Sequence, residues 1–416
     1  MGENPEAELP AHADVVIVGG GLTGLNCAIE LARGGASAVV LEAGDFGYGA
    51  STRNGGGVSG GTSMGKGFSG KQGANELLAA MVGDAAAGLT HIEGLIAREG
   101  IQCHYERTGR FLCAYTPRHY QALAAKVDLY NEQGDAGAEM VPRERQQEEI
   151  ASDYYHGGML VRRSGKIHPA LYHRGLMQAA EKYGAVLVGN TKAGTLVRTG
   201  ADWRVQTSRG PITAAEIVIA TNGYTGELTP DLRRRLVPVA SHIIATETLD
   251  PELARSLIPN RRTLADTRRV LCYWRMSPDG ARVLFGGRAR FTQVSPEVSA
   301  PALHGMMLER WPQLKGVRVT HAWTGNVAFA FDFLPHMGME QGMHYLMACN
   351  GSGVAMMSYL GYQTARKIAG GSNAPVNAFD GQDFPTVPFY NGNPEWVLPF
   401  VGAWYRTRDW WDRRTA

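Results

Sequence analysis

The stretch Asp14-Val-Val-Ile-Val-Gly-Gly-Gly-Leu-Thr-Gly24 limits what this chain can fold into more than any other. Asp14–Val18 is a short apolar run of the kind buried on both faces of a parallel sheet. Leu22–Arg33 then reads as a helix, with Leu22, Leu25, Ile29 and Ala32 on one face. Ala38–Leu41 is a second apolar strand, and it ends at Glu42, eighteen residues after Gly24. Residues 14–42 therefore form one βαβ unit carrying the dinucleotide-binding pattern. Gly19 permits the tight turn, Gly21 lets backbone approach a pyrophosphate, and Gly24 lets helix and strand pack closely. Leu22 and Thr23 open the helix, whose free N–H groups favour phosphate. Glu42 can accept hydrogen bonds from ribose hydroxyls, with Ala43 beside it.

The residues after Glu42 separate the two common dinucleotides. An NAD domain continues with another βαβ unit. This chain runs instead into Gly49-Ala-Ser-Thr-Arg-Asn-Gly-Gly-Gly-Val-Ser-Gly-Gly61, six glycines in thirteen residues. Such density builds no core, but it lets backbone lie against a long flat ligand. FAD fits that description. Gly49, Ala50, Ser51, Arg53, Asn54, Gly55 and Gly56 are the expected contacts, with Arg53 and Asn54 at its polar edges. The chain as a whole holds 53 glycines in 416 residues, about twice the usual share of roughly 7%.

Composition excludes several classes. The 41 basic and 39 acidic residues leave a net charge of +2, no basis for binding nucleic acid. The five Cys are scattered and form no CxxC pair, which fits free thiols in a reducing compartment and no metal centre. The first ten residues lack the apolar core of a signal peptide. No apolar run approaches the roughly 20 residues that span a bilayer. The expected location is the cytoplasm. The tail from Trp404 to Arg414 mixes aromatics, Arg and Asp, and reads as a docked amphipathic terminus.

Apolar strands of the parallel type recur at the start, middle (Glu216–Ala220) and end (Tyr345–Cys349) of the chain. The expected fold is α/β, with a discontinuous Rossmann-like FAD-binding domain over 1–98, 157–228 and 322–416. A mainly antiparallel β-sheet substrate domain takes 99–156 and 229–321. Surface helices are expected at 117–133 and 142–150, and a strand–turn–strand at 102–115.

In these motifs, and in their order, the chain resembles the D-amino-acid-oxidase-like family of FAD enzymes over essentially residues 14–410. Val218-Ile-Ala-Thr-Asn-Gly-Tyr-Thr225 resembles the family's second flavin-contacting strand end. Arg282–Arg288 resembles the strand facing the flavin, Trp323–Gly338 the segment before the last strand, and Ala348–Ala355 the final glycine turn. The resemblance adds Thr221, Asn222, Gly223, Gly287, Gly325, Asn350, Gly351, Ser352, Gly353 and Val354 to the cofactor contacts. It implies that the last turn aims a helix N-terminus at the flavin, stabilising negative charge there.

Departures from the family narrow the substrate. Val327 stands where relatives acting on simple amino acids carry a carboxylate-binding Arg. Residues 323–331 lack the Cys that attaches FAD in sarcosine oxidases, so FAD is expected to be non-covalent. Leu284 replaces the oxygen-activating Lys, which leaves the electron acceptor open. Phe-Leu-Pro-His-Met-Gly338 and Cys272–Gly280 most resemble the gamma-glutamylputrescine oxidase branch.

The resemblance implies oxidation of an amine, either a polyamine derivative or an N-substituted amino acid. An imine forms and hydrolyses, and oxygen goes to peroxide. The alternatives are a dehydrogenase passing electrons to a quinone or protein, or a flavin-bound subunit of a larger complex. Tyr48, His242, Tyr273, Trp274, Arg275, Phe329 and Phe331 are the substrate-pocket candidates. Arg275 or Arg288 is a candidate to meet a distant carboxylate, with bracing of the sheet as the alternative role. No catalytic base is assigned, and the oligomeric state stays open.

Overall fold

The computed structural model describes residues 7–60, 74–374 and 376–415; Gly61, the last glycine of the dense run, lies outside them. The first sheet has a parallel core. Its spatial order is Met343–Met347, Gly210–Ile219, His12–Val18, Ala38–Leu41 and Val186–Val188. The C-terminal parts of the central strands, Val15–Val18 and Ile217–Ile219, are apolar and buried because both faces are covered there. Val15 and Ile17 pack under the helices, while Val16 and Val18 join Trp203 and Val205 on the other side. The antiparallel pair Ala193–Thr199 and Asp202–Thr207 supplies that second cover.

On the helical face, Leu22–Arg33 crosses Gly353–Gly370 closely. A Cβ at Gly361 would lie 2.2 Å from the Thr23 carbonyl oxygen, so the crossing needs glycine there. This contact ties a helix near the start of the chain to one near its end.

The second sheet runs Val319–Ala330, Leu236–Thr246, Val283–Gly287, Cys272–Met276, Thr263–Asp266, Arg110–Cys113, Gly158–Val161 and Ala138–Val141. Its neighbours are antiparallel except Thr263–Asp266 with Arg110–Cys113. One face packs on Trp274, Phe285, Trp311 and Tyr155. The other looks toward the first domain.

Two expected handover points move. Gly158–Val161 and Val319–Ala330 belong to the second sheet, whereas the sequence reading opens segments of the first domain at 157 and 322. Long-range pairing decides this: Val319–Ala330 lies along the whole of Leu236–Thr246. The strand–turn–strand expected at 102–115 reduces to Arg110–Cys113. The helix expected at 117–133 divides into Pro117–Ala124 and Val127–Gly134, and 142–150 holds the 3-10 turn Arg143–Glu148.

The C-terminal helix Leu398–Arg414 docks on the second domain. Asp409 accepts hydrogen bonds from the Arg269 and Val270 backbone N–H groups at 3.0 and 2.9 Å. Trp404, Trp410 and Trp411 stay on its exposed side. Among the described residues, no helix is long and apolar enough to cross a membrane.

Candidate active site

A cavity of about 940 Å³ runs from the first glycine turn to the inner face of the second sheet. Gly19, Gly20 and Gly21 form one end of its lining, with Leu22 and Thr23. Gly19 has φ +113°, and a Cβ there would lie 2.8 Å from the Ala220 carbonyl oxygen. Glu42 accepts from the Gly20 N–H at 3.0 Å and the Gly44 N–H at 3.2 Å. Its carboxylate is thus fixed at the strand end, beside Ala43 on the cavity wall.

The glycine-rich run forms the floor. Gly49, Ala50, Ser51, Arg53, Asn54, Gly55 and Gly56 all border the cavity. Ser51 Oγ accepts from the Leu22 N–H at 3.0 Å, so the hydroxyl sits at the start of the dinucleotide-type helix. The Asn54 amide is used locally: it donates to the Ser51 carbonyl and accepts from the Gly56 N–H, both at 2.8 Å. Arg53 lies over the ring of Tyr48, 4.8 Å from its centre, and Tyr48 is 61% exposed at the rim.

Two further turns complete this half. Thr221, Asn222 and Gly223 border the cavity, and Asn222 Oδ1 accepts from the Ala348 N–H at 3.1 Å, tying the turns together. Gly351, Ser352, Gly353 and Val354 bring the N-terminus of Gly353–Gly370 to the wall.

The second sheet faces the floor through Tyr273, Phe329, Leu284, Val327, Gly325 and Arg288. Tyr273 is wedged between two glycines: a Cβ at Gly55 would lie 2.7 Å from its ring, and one at Gly286 2.3 Å. Its hydroxyl bonds to Ser241 Oγ at 2.9 Å, and burial pushes its pKa up to about 12.

The glycine turn, the acid at the second strand end and the cavity's length fit a flavin dinucleotide. Residues 14–367 match the family model described as DAO, FAD dependent oxidoreductase. The chain belongs to this family of FAD-dependent oxidoreductases. A gamma-glutamylputrescine oxidoreductase from Escherichia coli is 31% identical over 95% of this chain and 92% of its own length. A probable oxidoreductase OrdL from Rhizobium meliloti is 30% identical over 95% and 92%. Glycine oxidase from Geobacillus kaustophilus shares the fold at TM-score 0.75 and 20% identity, covering 91% of this chain and 99% of its own. As a DAO-family enzyme the chain uses FAD.

Not every expected residue of this DAO-family chain reaches the cavity. Gly24 packs under the turn, where a Cβ would lie 2.0 Å from the Gly19 carbonyl oxygen. Gly287 packs against Cys272 and Leu303 on the far side of its strand. Asn350 is a turn residue whose Oδ1 accepts from the Ala330 N–H at 3.0 Å. Trp274 touches the cavity, but its indole stacks on Tyr155 and Phe285 in the opposite core. His242 is buried and does not border the cavity, whereas its neighbours Ser241 and Ile243 do. Phe331 turns away to meet Tyr390 edge-on at 5.4 Å. Arg275 does border the cavity, but its guanidinium is taken up by backbone: it donates to the carbonyls of Gly55 at 2.6 Å, Met276 at 3.1 Å and Ile167 at 3.2 Å.

Sequence reasoning missed Arg110, Lys192 and His173, which also border the cavity. His173 Nε2 meets the Gly20 carbonyl at 2.8 Å, and burial lowers its pKa. Its place on the buried face of Pro169–Lys182, one residue after Tyr172, was the available signal.

Proposed function

We propose that this enzyme oxidises an amine with non-covalently held FAD, the amine being a glutamylated diamine or an N-substituted amino acid. The carrying observation is the second half of the cavity, walled by Tyr273, Phe329, Val327 and Leu284. The only acids on the described lining are Glu42, at the glycine turn, and Glu227. No described carboxylate therefore stands among the aromatic walls to hold an ammonium ion, and the neutral amine is favoured there. The relative named as a gamma-glutamylputrescine oxidoreductase supports the substrate class.

FAD supplies the two-electron acceptor when bound. The glycine turn and the N-terminus of Leu22–Arg33 would hold its phosphates and Glu42 its ribose, and residues 49–56, 221–223 and 351–354, which border the same cavity, would line the rest of it. Tyr273 and Phe329 exclude water and orient the amine. Leu284 borders the cavity where the family resemblance places an oxygen-activating Lys. That supports a second reading, in which electrons pass to an acceptor other than oxygen.

The visible spectrum under anaerobic amine addition tests this reading. Bleaching of the flavin band by one amine identifies the substrate class, and admitting air then separates oxidase from dehydrogenase. A yellow protein that no amine bleaches would remove the amine reading and leave the family assignment intact. Glu42→Ala is expected to weaken FAD binding about 10- to 100-fold, the loss of charge-assisted hydrogen bonds, measured by flavin titration of the apoprotein. The rate constant kcat/KM is expected to rise roughly tenfold per pH unit below the substrate's amine pKa, near 10 for an alkyl amine. A flat profile between pH 7 and 9, roughly the range where an alkyl amine is mostly protonated, would contradict binding of the neutral amine.

A further inference from the structure

We propose that Arg288 is the anion receptor of the cavity, so that the amine oxidised here carries a carboxylate that docks on Arg288 over the Phe329 ring. This rests on the amine-oxidation reading.

Arg288 follows the strand Val283–Gly287 and borders the cavity. Among the described residues its one hydrogen bond runs from Nη1 to the Arg269 carbonyl at 3.2 Å. A guanidinium has five N–H donors in a planar fork that matches a carboxylate. The guanidinium carbon lies over the Phe329 ring, 4.7 Å from its centre. Burial lowers the Arg288 pKa, a cost that an arriving anion offsets.

Among the described residues, no acid of the fold answers this charge directly. Asp409 acts on it from the C-terminal helix, but the Asp409 oxygens accept from Arg269 N, Val270 N and Arg269 Nη1. Asp409 thus fixes the carbonyl that holds Arg288 in place. The other cavity guanidiniums are placed differently. Arg53 lies over the Tyr48 ring and donates from Nη1 to the Thr324 carbonyl at 3.3 Å. Arg275 is occupied by three carbonyls. Arg110 stands three strands away in the second sheet, roughly 14 Å at the usual strand spacing. Tyr273 lies close enough to feel the Arg288 charge, and its hydroxyl is a second donor for the same carboxylate.

The test compares glutarate with glutaramide as ligands, and γ-glutamylputrescine with putrescine as substrates, in the wild type, Arg288→Gln and Arg288→Lys. Glutarate is expected to raise the thermal midpoint of the wild type and perturb its flavin band, and glutaramide to do neither. Arg288→Gln is expected to weaken glutarate about 100-fold and to collapse the preference for the acid-bearing amine by a similar factor. Arg288→Lys keeps the charge without the fork and is expected to lose about tenfold in glutarate affinity; it decides the matter if Arg288→Gln does not fold. Unchanged glutarate affinity in both variants, or an unchanged preference between the amines, overturns the proposal. If the wild type is bleached by neither amine, the amine reading fails, while glutarate binding with and without Arg288 still decides the anion site.

Discussion

Gly24→Val is expected to yield a chain that purifies without flavin colour and unfolds at a lower temperature. The added Cβ would lie 2.0 Å from the Gly19 carbonyl oxygen and 3.1 Å from Ile17 Cγ2. The first neighbour is backbone, so no rotamer change relieves the clash. Helix Leu22–Arg33 must move off the strand, and the turn that presents the Gly19–Gly21 backbone moves with it. Overpacking of this kind costs about 3 kcal/mol, which corresponds to a midpoint drop of roughly 5 °C. Gly94→Ala is the control, because a Cβ at Gly94 meets nothing within 4 Å and the helix gains propensity. Retained flavin and an unchanged midpoint in Gly24→Val would show that the close crossing is dispensable.

The contrast between these glycines shows what the sequence made legible. Residues 14–42 are a local unit, so the turn, the helix and Glu42 follow from spacing alone. The floor at 49–56 was equally readable, because dense glycine has few other uses. The facing sheet was not. Strand periodicity states that Tyr273 and Trp274 point to opposite faces, but not which face meets the cofactor. That phase is set by what covers each face from far away in the chain: Tyr155 stacks on Trp274, while Gly55 lies against the ring of Tyr273. The same uncertainty misplaced His242 and Phe331. Arg275 shows a further limit: its charge suggests an anion, while its guanidinium serves three backbone carbonyls.

Asp266→Ala is expected to destabilise the second domain by about 3–5 kcal/mol, the cost of leaving a buried charge without its partner. Asp266 and Arg310 are 3.0 Å apart, and both side chains are 0% exposed. The same carboxylate accepts from Arg268 Nε at 3.0 Å and from the Tyr155 hydroxyl at 3.3 Å. Rings of Trp274, Phe285 and Tyr154 surround the Arg310 guanidinium. Its other carboxylate contact, Glu309 at 3.4 Å, is 54% exposed and too well solvated to take over. The effect reaches the active site by a short route. Asp266 Oδ1 accepts from the Cys272 N–H at 3.1 Å, and Tyr273 is the next residue. Loss of that anchor is expected to raise KM as well as lower stability. Denaturant unfolding with an unchanged m value measures the first effect, and steady-state kinetics the second. Combining Asp266→Leu with Arg310→Met and Arg268→Met removes all three charges of the network, and is expected to recover more than half of the loss because apolar side chains can replace a buried ion triad of similar volume. A single Asp266→Ala variant within about 1 kcal/mol of the wild type, the scale of an exposed pair, would mean that water reaches Arg310 and that the network does not hold the strand.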